Sequence, residues 1–298
     1  MNDATMAAVV ALVHADPRPG PRVAEELETG TAPMALLERA LAGTTDGAGQ
    51  QSLLLAPADP SRALAVAAAE LAAWRAEGIA VSCVLDSDYP HNLRAVHDRP
   101  PLLFTAGRRR AGTDRAVAVI GSRRASAAGR ERARAIAEHL VDQGFTVVSG
   151  LAAGIDRAAH IAALDCDGHT IAVIGTGLRH SYPPEHAELQ AAIAARDLVV
   201  SPFWPGTSAS RKTFPRRNGV MSGLSLASVI VEAGMTSGAR IQARLSLAQG
   251  RPVFLACELL SQPWAQSLAA RPSVHVYGEP SEITDVMQPR IDTGALVP

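Results

Sequence analysis

From Ala116 onward the sequence alternates, about every 25 residues, between short apolar runs of β type and longer segments of helical spacing. The apolar runs are 116–120 (AVAVI), 145–149 (FTVVS), 170–174 (TIAVI), 197–201 (DLVVS), 228–232 (SVIVE) and 252–256 (PVFLA). Helical segments at 127–142, 156–166, 185–195, 216–226 and 238–249 separate them. Strands this short and this continuously apolar are buried on both faces, and connections this long suit parallel neighbours bridged by helices. The pattern predicts an α/β fold, a Rossmann-like, doubly wound, mainly parallel sheet. Ligands of such sheets gather at the carboxyl ends of the strands.

The upstream texture differs. Residues 1–78 are alanine-rich, with a first helix at Met1–Val13 and helical spacing at Met34–Leu41 and Ala63–Ala73, interrupted by a Gly/Thr/Asp loop at Gly43–Gly49. They are read as a small helical N-terminal domain, and 79–298 as the extended Rossmann-like domain. The latter opens with a connecting segment, 79–115, which holds two strands, the pairs Tyr89-Pro90 and Pro100-Pro101, and the basic stretch Arg108-Arg109-Arg110. Met1–Val13 lacks the basic start and cleavage signature of a signal peptide, and no apolar run approaches the roughly 18 residues of a membrane helix. Cys83, Cys166 and Cys257 are dispersed, odd in number and in no CxxC pair. The expectations are no disulfide framework, no metal site, no membrane contact and a cytoplasmic location.

Each strand runs into a small or glycine-bearing loop. After the first comes Gly121-Ser122-Arg123-Arg124-Ala125-Ser126, where Ser126 is placed to cap a helix whose N-terminus favours an anion. After the second comes Gly150-Leu151-Ala152-Ala153-Gly154-Ile155-Asp156, with His160 one turn on. The third gives Gly175-Thr176-Gly177 and then Tyr182-Pro183. The fourth gives Pro202 to Pro215, with Pro205-Gly206-Thr207 and Arg211-Lys212-Thr213-Phe214-Pro215-Arg216-Arg217-Asn218. The fifth gives Glu232-Ala233-Gly234-Met235-Thr236-Ser237-Gly238. One such loop is no more than a tight turn, but five in register on one sheet edge line a shared crevice. The net charge is only −1 and Lys212 is the sole lysine, so four basic residues within Arg211–Arg217 stand out as a local anion trap. Aromatic residues are just 4% of the chain, which leaves few platforms for stacked bases.

Several chemistries lack their signatures. The first strand ends in G-S-R-R rather than G-x-G-x-x-G, and no Walker A sequence surrounds Lys212, so neither dinucleotide nor P-loop binding is indicated. Ser149, Asp156 and His160 suggest a nucleophile triad, but no G-x-S-x-G elbow exists and His160 is better placed to brace its loop. No catalytic residue and no cofactor is assigned.

At these residues the chain resembles the DprA/Smf family of DNA-processing proteins. The resemblance rests on Ala116–Arg123 (AVAVIGSR), Val147–His160 (VVSGLAAGIDRAAH), Thr170–Leu178 (TIAVIGTGL) with Tyr182-Pro183, Phe214–Asn218 (FPRRN), Ser222–Ser225 (SGLS), Val231–Ala233 (VEA), Ser237-Gly238 and Gln249–Phe254 (QGRPVF). Upstream, Tyr89-Pro90, Leu93 and Pro100–Gly107 (PPLLFTAG) also match. It covers roughly residues 82–257, and the set is specific where no single piece is. It implies a protein without established catalytic activity that binds single-stranded DNA in a positively charged pocket at the strand ends, protects incoming DNA, assists loading of the RecA recombinase in transformation, and forms a homodimer.

The chain departs from the family's pattern at Pro202, at Gly219 in place of an arginine, at Ala239-Arg240-Ile241-Gln242 in place of S-L-I-T, and at Ala256-Cys257-Glu258 in place of V-P-G. These departures suit a diverged member. Candidate DNA- or phosphate-binding residues are Gly121, Ser122 and Arg123; Ser149, Gly150 and Gly154; Gly175, Thr176 and Gly177; Arg211, Lys212, Phe214, Arg216, Arg217 and Asn218; and Ser237 and Gly238. Basic side chains would neutralise phosphates, and the loop amides would donate to phosphate oxygens. Phe214 is expected to anchor its loop, and Arg124 to point away from the crevice. The alternative is a nucleotide-binding sensor or a phosphoribohydrolase-like enzyme on the same fold. Against it, Pro205-Gly206-Thr207 is a truncated version of the P-G-G-x-G-T-x-x-E pattern of such enzymes.

Overall fold

The computed structural model describes residues 1–16, 18, 20–43, 59–110 and 112–292, that is, all but a few short segments. The loop expected at Gly43–Gly49 lies, beyond its first residue, outside the described residues. The chain divides into two compact units.

The first unit comprises Met1–Tyr89 and His97–Thr105. It holds helices α1 (Asp3–Ala15), α2 (Gly20–Glu28), α3 (Pro33–Gly43) and α4 (Pro60–Ala76), followed by β1 (Ala80–Cys83). β1 runs antiparallel to β2 (Leu102–Gly107), with Ala80 opposite Thr105. The small side chains of α1 let it pack closely on α3 and α4, and Ala7–Leu12 are all buried. Asn2 caps α1 by accepting from the Thr5 amide at 2.8 Å, and Asp59 caps α4, whose first residue is Pro60. The expected helices appear as α1, α3 and α4. α2 escaped notice because Pro17, Pro19, Gly20 and Pro21 read as a loop and only the turns that follow are periodic.

The second unit comprises Pro90–Val96 and Ala106–Pro298. After the short α5 (His91–Arg94) it alternates: β3 (Ala116–Gly121), α6 (Ala127–Asp142), β4 (Thr146–Ser149), α7 (Ile155–Asp165), β5 (Thr170–Val173), α8 (Ala187–Arg196) and β6 (Leu198–Ser201). Then follow α9 (Thr213–Leu224), β7 (Ala227–Glu232), α10 (Ala239–Ala248), β8 (Val253–Ala256), α11 (Pro263–Ala269), β9 (Val274–Tyr277) and α12 (Ser281–Asp292). These strands lie in the order β6-β5-β4-β3-β7-β8-β9, every neighbouring pair parallel. The doubly wound, Rossmann-like sheet expected from the alternation is present. β9 was not foreseen, because Val274-His275-Val276-Tyr277 alternates like a half-exposed strand instead of running continuously apolar.

β3 is flanked by β4 on one side and β7 on the other, so the winding reverses between β3 and β7. There the carboxyl ends of two strands diverge and leave a crevice. α6 and α7 pack on each other, and so do α9 and α10. α9 returns from β6 to β7 across β5, β4 and β3, and is buried on every side from Arg217 to Leu224. That crossing sets the first turns of α9 under the strand ends. A register shift at Ile120/Gly121 bends the end of β3 where it meets β7.

Candidate functional site

A cleft of about 450 Å³ lies at the reversal, walled by the loops after β3 and β7 and by the first turns of α9. Its floor is built around two buried groups of opposite charge, Arg217 and Asp156. Arg217 is 5% exposed, and its Nη1 donates to the carbonyls of Gly150 and, at 2.9 Å, Val173. Its Nε donates to the Asn218 Oδ1 at 2.9 Å. Asp156, also 5% exposed, accepts from the amides of Gly150 (3.1 Å) and Ala152 (3.4 Å). Burial raises the carboxyl pKa of Asp156, opposed by the Arg217 charge and by amides that include that of Gly121. Burial likewise lowers that of Arg217, opposed by Asp156. Attraction across the floor and hydrogen bonds to the backbone are what make the two buried charges tolerable.

Two glycines exist for this floor. A Cβ on Gly150 would sit 1.9 Å from the Arg217 Nη1, so only glycine lets the guanidinium lie against the backbone. Gly154 has φ +80°, and a Cβ there would meet the Ser122 carbonyl oxygen at 2.2 Å. The Ile155 amide donates to that same Ser122 carbonyl at 3.2 Å, which stitches the β3 loop to the β4 loop. Leu151 between them has φ +56°, a strained geometry for a branched side chain, retained by complete burial and by a 2.8 Å bond from its carbonyl to the His186 ring.

The wall carries the free charge. Arg123 and Arg124 are both exposed and both line the cleft, and neither guanidinium has an ion-pair partner among the described residues. Arg124, expected to point away, is among the residues that line the cleft, in a turn held by its amide donating to the Ser122 Oγ (3.2 Å). The Arg123 guanidinium sits 4.8 Å over the Phe214 ring, the Arg217 guanidinium 6.0 Å from its centroid, and the Tyr182 ring packs beside it at 5.4 Å, tilted 52°. Phe214 is packed against Gly175, as expected of a loop anchor, while Tyr182 is 43% exposed. On the far wall Ser237 and Gly238 lead into α10, with the Ser237 Oγ accepting from the Ala239 amide at 3.2 Å.

Of the residues singled out in the sequence, Gly121, Ser122, Arg123, Phe214, Arg217, Asn218, Ser237 and Gly238 line this cleft. Others serve its frame. Ser149 is fully buried and its hydroxyl donates to the Val119 carbonyl at 2.6 Å. Thr176 is 1% exposed and donates to the His180 carbonyl, while the Gly177 amide donates to that of Thr207. Arg211, Lys212 and Arg216 are exposed around the start of α9 without lining the cleft, and Arg216 rests 5.3 Å over the Phe203 ring. The N-terminus of α6 is capped by Ser126 as expected (Gly129 amide, 2.9 Å), but its anion is already in place. The Glu232 carboxylate accepts from the Ser126 amide and, at 2.5 Å, from its hydroxyl.

The suspected triad is dispersed among backbone partners. His160 is fully buried, with Nδ1 2.7 Å from the Thr170 Oγ1. Because that hydroxyl donates onward to the Val147 carbonyl, Nδ1 carries the proton. Burial pushes the His160 pKa down to about 3, so the ring is neutral at physiological pH. Reading the sequence for sites missed Arg124, Asp156 and Tyr182. The last two stood inside the quoted motifs, and only burial and ring exposure distinguish their roles.

The family model described as DNA recombination-mediator protein A matches residues 80–270. The DNA processing protein DprA of Bacillus subtilis is 34% identical over 196 residues, 65% of this chain and 66% of that protein. The X-ray structure of DNA processing protein A from Streptococcus pneumoniae superposes with a TM-score of 0.74 at 26% identity, over 96% of this chain and 98% of that one. A structure of DNA processing protein A from Helicobacter pylori, described as revealing that protein's unique single-stranded DNA binding mode, shares the fold (TM-score 0.62, 23% identity, 71% of this chain and 96% of that one). Sequence matches to curated relatives span between 44% and 66% of their lengths in the Synechocystis and Bacillus subtilis proteins.

Proposed function

The chain belongs to the DNA recombination-mediator protein A family, and from that premise we propose that the cleft between β3 and β7 holds the phosphodiester backbone of single-stranded DNA with little sequence preference. One observation carries this reading: Arg123 and Arg124 stand exposed and unpaired on the cleft wall, beside a ring pair whose outer member, Tyr182, is open to a base face. Phosphate contacts give affinity without reading sequence, and an aromatic face recognises any unstacked base, which a duplex does not offer. The buried Arg217 and Asp156 contribute shape, and Arg211, Lys212 and Arg216 extend the positive field beyond the cleft.

Within this proposal the wider role is that of a cytoplasmic, homodimeric protein that shields incoming DNA and assists RecA loading in transformation and recombination. Family membership supports that part. The site chemistry is tested by a competition titration on the full chain, with labelled oligothymidylate displaced by single-stranded DNA, duplex or mononucleotide. Single strands should displace at the lowest concentration. A mononucleotide that competes equally well would instead support a nucleotide sensor or a phosphoribohydrolase-like enzyme.

A further inference from the structure

The cleft does not end at the loop after β7. A second hollow of about 330 Å³ lies on the far side of that loop, between α10 and α11, and the two share Thr236 and Ser237 as a common wall. Its chemistry repeats that of the first. Arg240 and Arg244 stand one turn apart on α10 and both line it. The Arg240 guanidinium lies 5.3 Å over the Trp264 ring, and its Nη1 donates to the Met235 carbonyl, so it is held in place with most of its five donors still to spend. Arg244 is exposed and has no partner among the described residues. Two apolar side chains at the rim, Met235 (59% exposed) and Ile241 (36% exposed), are open to solvent.

Fixed cations beside exposed apolar surface suit a ligand that alternates phosphate and flat ring. We infer that the hollow between α10 and α11 is a second subsite for single-stranded nucleic acid, which takes the strand as it leaves the cleft past Thr236 and Ser237. Arg240 and Arg244 bind its phosphates, and Met235 and Ile241 contact its bases. The inference rests on the reading of the first cleft given above and extends it from a local anchor to a path with a direction, from β3 across β7 toward α11.

The test uses the full chain, the double variant Arg240→Gln/Arg244→Gln, and oligothymidylates of about four and about twelve nucleotides, titrated across a range of salt. The short strand fills the first cleft alone, so both proteins should bind it alike. The long strand should bind the variant roughly tenfold or more weakly near 0.1 M salt, with a log–log salt slope flattened by about 1.4, that is, about 0.7 for each lost phosphate contact. An unchanged slope and affinity for the long strand overturns the second subsite, as does a lowered melting temperature with unchanged slope, which would make Arg240 a structural pin. The underlying reading fails separately: Arg123→Ala/Arg124→Ala binding the short strand as tightly as the parent would remove the first cleft, and the path with it.

Discussion

Arg216 and Arg217 are chemical twins in the sequence and opposites in the structure. Arg217 is walled in beneath the cleft, with donors committed to Gly150, Val173 and Asn218, whereas Arg216 is exposed. Arg217→Ala removes the charge that opposes the desolvation of Asp156 and the donor that holds the Gly150 and Val173 carbonyls, and should cost about 2–4 kcal/mol in denaturant unfolding. Arg216→Ala should stay within about 0.5 kcal/mol of the parent. Equal losses would mean that Arg217 is not the buried arginine of the two. His160 makes a second prediction at this scale. Its pKa is near 6.5 in the unfolded chain and is pushed down to about 3 in the native one. Between those values the unfolded state binds the extra proton, so stability is complete above about pH 6.5 and falls, by an amount on the order of a few kcal/mol, as pH drops toward 3. His160→Asn should flatten that part of the urea-midpoint profile, and a profile of undiminished steepness would assign the loss to other groups.

At the scale of elements, the loops at the strand ends form one assembly. The β3 loop bonds to the start of α7, the β7 end clamps the start of α6, and the β5 loop bonds the loop after β6. Glu232 is therefore a helix cap on the cleft's outer side, and Glu232→Gln should lower stability by about 1 kcal/mol while leaving oligonucleotide affinity within about twofold. A large change in affinity would place the carboxylate at the ligand. Gly154→Ala forces a Cβ onto the Ser122 carbonyl at a positive φ and should cost more than about 1 kcal/mol. It should also weaken DNA binding, because it moves the turn that aims Arg123. Binding that survives intact would show the two loops to be independent.

Across the whole molecule, a net charge of −1 means that any affinity for a polyanion is local. Binding of single strands should fall linearly on a log–log salt plot, and Arg123→Ala and Arg124→Ala should each flatten the slope by about 0.7. Both arginines are exposed on the cleft wall, although only Arg123 rests on a ring, so a variant pair of very unequal effect would mean that Arg124 turns to solvent when the strand binds. The alternation of apolar runs made the sheet legible because β3 to β8 are buried on both faces. Its partner order was not, since parallel pairing is set by how helices cross and leaves no mark within a strand.

The sequence by itself determined the strands β3 to β8, the helices between them, the family, and the edge of the sheet at which the cleft lies. Those follow from hydrophobic period and from where small residues interrupt it, both local properties of the chain. Tertiary structure alone decided which of several like residues face the cleft. The crossing of α9 under β3, β4 and β5 buries Arg217 and leaves Arg216 outside. The clamp of Glu232 on α6 fills an N-terminus that the sequence offered to a phosphate. The meeting of the β7 loop with α10 and α11 sets Arg240 and Arg244 beside the cleft. Charge and glycine spacing say that an anion is welcome, but burial, which depends on residues tens of positions away, decides which arginine is free to receive it.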